Sequence, residues 1–325
     1  MSDRFSRRAL LAGSAGCAGH LLTSIAAAPV SSRRRFAARQ KGQVVAAEPF
    51  GRLERLADGV WALVSTPLEA RTTLSNGGIV AGADGVLIVE GFASVEGAQW
   101  MAAQAFELTG RRPTHVVLTH YHGDHSGGLA GYRSDADLPT VFYTQRTRGL
   151  LETSLQAETS EAESPLSTLA ADGIIDDTAE PVRVDLGGRT VSIAARRGHT
   201  PSDLTVRVED PRVVFCGDLV WNEMFPNYVD AIPTWLQAAC SELLADERAL
   251  YVPGHGALAD HGEMARYLDL IDHVGAAARR AFERGVSAEQ GAAEYAVPAS
   301  LGEWFMFSPR YHEVAFRAWY RELSG

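Results

Sequence analysis

Three histidines and an aspartate crowd into Thr119-His120-Tyr121-His122-Gly123-Asp124-His125. Metal binding accounts for such a density of donors better than a surface or core role does. The apolar run Val116-Val117-Leu118 ahead of it reads as a buried strand, and Ser126-Gly127-Gly128 behind it as a turn and helix start. The cluster thus stands at the carboxyl end of a strand, where sheets covered by helices on both faces place their sites. Along a strand His120, His122 and Asp124 would point one way, and a loop lets His125 turn in as well.

One segment cannot close a metal site, so the other histidines matter. The chain has ten. His199 lies in Arg197-Gly198-His199-Thr200-Pro201, between the strand-like runs 190–194 and 204–208. His255 lies in Val252-Pro253-Gly254-His255-Gly256, just past the apolar run 249–252. Glycines beside a histidine let the backbone bend closely around an ion. Asp218 ends Val213-Val214-Phe215-Cys216-Gly217-Asp218 and adds a second carboxylate. Every one of these segments repeats one grammar, an apolar strand followed by a turn that carries a donor.

In this order, H-x-H-x-D-H, then G-H-T, then G-D, then P-G-H-G, the motifs resemble those of the metallo-β-lactamase superfamily over roughly residues 51–262. The resemblance implies a first metal on His120, His122 and His199, and a second on Asp124, His125 and His255. It implies that Asp218 bridges the two. The best-known antibiotic-degrading subclass carries a cysteine where Asp218 stands, so the chain is more similar to the glyoxalase-II-like and lactonase-like members. Glu90, closing Val86-Leu87-Ile88-Val89, stands where many relatives carry an aspartate that supports the ligands from outside.

Imidazole and carboxylate donors without thiolate suit two zinc ions per chain, although iron or manganese is accepted by the same set. Metals of this kind bring the pKa of bound water down towards ~7. The expected chemistry is attack of the resulting hydroxide on a small carbonyl compound: a thioester, lactone, ester or β-lactam. Asp124 is expected to hold the second metal and orient the attacking water. Two other readings remain open. One is an iron-dependent oxidation of sulfur compounds on the same fold; the other is a non-catalytic accessory protein with structural metal.

Lesser candidates carry two readings each. His115 and His261 read as structural or surface residues, and Cys216 as a buried small hydrophobe. Asp203 either supports a ligand histidine or shapes a turn. Trp221 and Tyr228 line a pocket or belong to the core. The cluster Trp304-Phe305-Met306-Phe307 is a packed appendage, a pocket wall or a homodimer surface.

A formal charge of -10, from 30 basic and 40 acidic residues, argues against a nucleic-acid partner, which demands a basic track. The partner expected instead is a small-molecule substrate. Three cysteines, Cys17, Cys216 and Cys240, are too few and too scattered for a disulfide framework. Ser6-Arg7-Arg8-Ala9-Leu10-Leu11 resembles a twin-arginine export signal within residues 1–28, with Ala26-Ala27-Ala28 suited to cleavage. The mature chain is therefore expected in the periplasm or outside the cell, with no stable membrane association.

A flexible linker is expected over 29–50, and the main domain over 51–262. An acidic loop should occupy 158–180, and a helical extension 263–325 with helices at 263–284 and 313–323. Strand groups with helices between them suggest an α/β fold of two sheets stacked between helices, the four-layer αββα sandwich that the resemblance implies.

Overall fold

Successive side chains of a strand point to opposite faces, so the unbroken apolar runs here feed two different layers. The structure, a computed structural model, describes residues 41–133, 138–155, 165–170, 173–177 and 180–325. Eight strands form the first sheet in chain order: β1 (Gln43–Glu48), β2 (Gly51–Ala57), β3 (Val60–Ser65), β4 (Gly77–Ala81), β5 (Val86–Val89), β6 (His115–Val117), β7 (Thr140–Thr144) and β8 (Ile174–Ile175). Neighbours run antiparallel as far as β5 and parallel from there on. That change requires a crossover, supplied first by helix α1 (Val95–Thr109). Ser94 caps α1 by accepting from the Gly97 N–H, and Gly110 ends it in the left-handed region at φ 71°. Helix α2 (Gly123–Ser126) follows β6, and α3 (Gln145–Leu155) follows β7.

The second sheet comprises β9 (Val182–Asp185), β10 (Thr190–Arg196), β11 (Asp203–Val208), β12 (Val213–Asn222) and β13 (Leu250–Gly256). The first four meander antiparallel, and β13 returns parallel to β12 after α4 (Pro233–Leu244). Three helices then follow: α5 (His261–Glu283), α6 (Ala288–Glu294) and α7 (Tyr311–Leu323).

Val60, Ala62 and Val64 of β3 meet Ile193, Val206 and Phe215 between the two sheets. The alternate residues Trp61 and Leu63 turn the other way, towards Ala98, Met101 and Ala105 of α1. On the far side of the second sheet, Val214 and Cys216 pack against Leu236 of α4, Ile271 of α5 and Trp319 of α7. The layers run helix, sheet, sheet, helix, as the four-layer reading expected.

Three boundaries differ from that reading. The stretch 29–50 is not linker throughout, because β1 begins at Gln43 and pairs along β2. Its entry is held by Glu54, whose buried carboxylate accepts from the N–H groups of Lys41 and Gly42. Asp218 does not end its strand; β12 continues through it to Asn222, with register shifts at Gly217. Part of the acidic loop is structured, since Ile174 and Ile175 add β8 to the first sheet. The expected signal segment 1–28 lies outside the described residues, as does much of 158–180. Among the described residues no helix is long and apolar enough to cross a membrane.

Candidate metal centre

The seven donors arrive from four places at one end of the facing sheets. His120 and His122 follow β6, and His122 then stands at the N-cap of α2, whose first turn carries Asp124 and His125. His199 follows β10, Asp218 lies within β12, and His255 within β13. Two glycines make this approach feasible. Gly217 takes φ 51°, the left-handed region that bends β12 just before Asp218. At Gly254 any side-chain carbon would run into the Asp218 carboxylate, so only glycine lets β13 lie so close.

His120, His122, His199 and Asp218 form one group, and Asp124, His125 and His255 another, each with its donor atoms within 4.8 Å of one another. In the first, His122 Nδ1 lies 3.0 Å from His120 Nε2 and 3.0 Å from His199 Nε2. In the second, His255 Nε2 lies 3.2 Å from Asp124 Oδ2. Asp218 faces both. Its Oδ2 is 3.3 Å from His199 Nε2, while its Oδ1 is 3.1 Å from His125 Nε2 and 3.3 Å from His255 Nε2. This is the arrangement a bridging carboxylate requires.

All seven residues are buried. The four carboxylate oxygens of Asp124 and Asp218, and Nε2 of His125 and His255, have no hydrogen-bond partner. Buried polar groups left so would cost several kcal/mol in sum. Cations held by these residues would offset that cost, and the nitrogen and oxygen donor set fits a divalent metal.

Without a cation the charges perturb one another strongly. Burial, the largest influence, holds His120 well below the ordinary imidazole value and His199 down at about 3. Burial also pulls on His255, but Asp218 and Asp124 outweigh it and raise that residue to about 9. His125 likewise rises well above its usual value, through Asp218, Glu90 and Asp124 acting against burial. Asp218 is desolvated too, yet the surrounding histidines drive its pKa far down, so it stays a carboxylate.

A second circle of groups fixes the imidazoles. Glu90 Oε1 stands 3.0 Å from His125 Nδ1 and accepts from the Thr119 hydroxyl at 2.6 Å. Thr119 Oγ1 lies 3.1 Å from His120 Nδ1, so one carboxylate supports a histidine of each group. The glutamate thus reaches a ligand as the shorter aspartate of relatives was expected to, from a backbone at φ 89°. That conformation is strained for a side-chain-bearing residue.

Asp230 was not foreseen. Its Oδ2 accepts from Tyr121 OH at 2.5 Å and pairs with His122 Nε2 at 2.9 Å. Only an isolated acid in an aromatic loop marked it in the sequence. Asn76 and Ser75 were also missed. Asn76 Nδ2 donates to the carbonyls of Pro253 and Gly256 on either side of His255, and Ser75 Oγ donates to the Asp124 carbonyl.

Asp203 takes the turn role: it accepts from Thr200 N and Thr200 Oγ1 and touches no histidine. Burial lifts its pKa to about 7. His115 stacks on Phe142, away from the centre, and His261 opens α5. Cys216 is core. Trp221 and Tyr228 are both core, and Trp221 also lies against His255.

Comparison with known proteins agrees with this geometry. The family described as Metallo-beta-lactamase superfamily matches residues 70–255, more than half of the chain. A hydroxyacylglutathione hydrolase of Acidiphilium cryptum is 28% identical over 181 residues, 55% of this chain and 65% of that one. A probable metallo-hydrolase of Bacillus subtilis is 26% identical over 158 residues, covering 47% and 73% of the two chains. Among solved structures, the sec-alkylsulfatase of a Pseudomonas species matches 95% of this chain and 62% of its own, with TM-score 0.65 and 16% identity. A metallo-beta-lactamase from Pontibacter korlensis matches 68% of this chain and 99% of its own, with TM-score 0.55 and 20% identity. Such distant structures speak for the fold alone. Fold, donor geometry and matched sequence converge: this chain belongs to the metallo-β-lactamase superfamily and carries a His/Asp cluster fit to bind divalent metal.

Proposed function

We propose that the protein is a dinuclear zinc hydrolase of a small carbonyl substrate, a thioester or lactone before an ester or β-lactam. The observation that carries this reading is Asp218, whose two oxygens face separate groups of donors. Bound cations would supply water acidified towards neutrality and a positive site for the developing oxyanion.

The chain's own residues prepare that chemistry. A proton on His122 Nε2, donated to Asp230, leaves Nδ1 to face inward; the Glu90 carboxylate, 3.0 Å from His125 Nδ1, keeps that nitrogen outward and Nε2 inward. Asp124 holds the second position and orients the attacking water. The second donor group is buried and just as short of partners as the first, which favours two cations over the single iron of a sulfur oxidant. Aspartate at position 218 and the hydrolase relatives support thioester over antibiotic cleavage. The twin-arginine-like start supports a periplasmic or extracellular location.

A panel of thioesters, lactones, esters, sulfate esters and a chromogenic β-lactam, offered to zinc-loaded protein, tests the reading. Turnover of a carbonyl member that disappears with chelator and returns with zinc is the expected result. Turnover of sulfate esters alone, or none despite full metal content, would overturn it.

A further inference from the structure

Three of the five histidines in the centre have an outer partner that fixes the ring. His120 has Thr119, His122 has Asp230, and His125 has Glu90. The other two differ. Nδ1 of His125, His199 and His255 all lack a hydrogen-bond partner among the described residues, but His125 Nδ1 has the Glu90 carboxylate 3.0 Å away, whereas Nδ1 of His199 and of His255 has no such group beside it. Both rings instead flank one indole. Trp221 lies 4.2 Å from the His255 ring, centroid to centroid, and 6.4 Å from the His199 ring. Its placement is built into the sheet, since Trp221 and His255 are register partners in the parallel β12–β13 pair.

Trp221 is braced from behind. Phe307 meets it edge to face at 6.2 Å and reaches the His255 ring at 6.5 Å. Phe307 is in turn held by Phe305 at 5.1 Å. Backbone bonds stitch this segment beside the end of β12: Phe305 N donates to Glu223 O, and Phe225 N donates to Phe305 O. Residues some fifty positions beyond the last metal donor thus reach the centre through two fully buried rings.

We propose that Trp221 and Phe307 are positioning residues of the metal centre, holding the His255 ring, and less closely His199, by packing where a hydrogen-bonding partner holds the others. The proposal rests on the dinuclear reading above. A ring fixed by close packing keeps its orientation only while its neighbours fill the space. An imidazole with no acceptor on its far nitrogen also gains none of the added basicity such a partner confers. The hold on the His255 ring therefore depends on the C-terminal segment, whereas the hold on His120, His122 and His125 does not.

Competition between the full-length protein and a chromophoric chelator for Zn2+ resolves the two affinities, and Co2+ spectra report the geometry of each position. For Phe307→Ala the expected result is one Zn2+ bound as in the parent and the other weakened about ten-fold, the scale of losing an outer support. Trp221→Leu should weaken the same position further, and Trp221→Phe, which keeps a ring there, should restore most of it. Phe316→Leu serves as a control, being equally buried in the same core without a ring contact to Trp221. It should lower the melting temperature and leave both affinities alone.

If Phe307→Ala and Trp221→Leu keep both affinities within two-fold of the parent, the rings are only structural and the proposal fails. If Phe307→Ala does not fold, the Trp221→Leu and Trp221→Phe pair decides by the same criterion. A parent protein that itself binds fewer than two Zn2+ would instead remove the dinuclear reading on which the proposal rests.

Discussion

Asp230 and Gly254 show how single residues set the centre. Asp230 keeps a depressed pKa although burial opposes ionisation, because His122 and Tyr121 donate to it. It is therefore a carboxylate acceptor, not a neutral acid. Asp230→Asn should weaken zinc at the position held by His122 about 10–100-fold, with the fold intact, as read by chelator competition and circular dichroism. Gly254→Ala tests the close approach of β13. The added methyl must displace the Asp218 carboxylate or the strand, so zinc binding should fall at both positions at once. Unchanged binding at both would show that the spacing is not needed. The seven residues that the fold brings together stand in segments marked in the sequence, each an apolar run followed by a turn that carries a possible donor. Asp230, Asn76 and Ser75 were not legible, because each acts on a residue tens to hundreds of positions away and nothing near them in the chain marks the contact.

Strands buried on both faces show as unbroken apolar runs, and here those runs were readable. Val60 to Val64, Val86 to Val89 and Val213 to Cys216 all stood out, and each splits cleanly between two cores. The long helix α5 was legible through its helical spacing, and the structure starts it two residues earlier, behind an Asp260–Glu263 capping box. Elements that owe their existence to a partner were not legible. β8 is two residues long and exists only because β7 offers an edge, and β1 is an exposed strand tied down by β2 and Glu54.

Between elements, Asp246 joins β11 to the turn before β13. It pairs with Arg207 of β11 at 2.6 Å and with Arg212 at 3.2 Å. Burial raises its pKa, but the bonds from Arg207, Arg248 N and Arg212 outweigh this and leave it below 3.8. A carboxylate depressed in the folded state adds stability above its unfolded value and loses it as pH falls through the folded one. Asp246→Asn should therefore cost about 1 kcal/mol at pH 7, and the cost should shrink once the medium is more acidic than that carboxylate. Urea titrations of both proteins at neutral and acid pH measure it; a pH-independent difference would contradict the assignment.

At the scale of the whole molecule, the C-terminal helices are packed into the domain. Helices α4, α5 and α7 share one core with β12, and α5 covers the second sheet as the fourth layer. The helical extension expected from 263 is present, and it packs into the core of the second sheet. The four layers were readable because motif order and strand grammar agreed, and the packing of the final helices was not, because an amphipathic helix does not name the surface it covers. The whole assembly serves to set one carboxylate between two groups of imidazoles. The most direct test is the zinc content of the full-length protein and of Asp218→Ala after dialysis against a weak chelator, by elemental analysis. Two equivalents in the parent and at most one in the variant are predicted; one equivalent in the parent, or two retained without Asp218, would contradict the bridged centre.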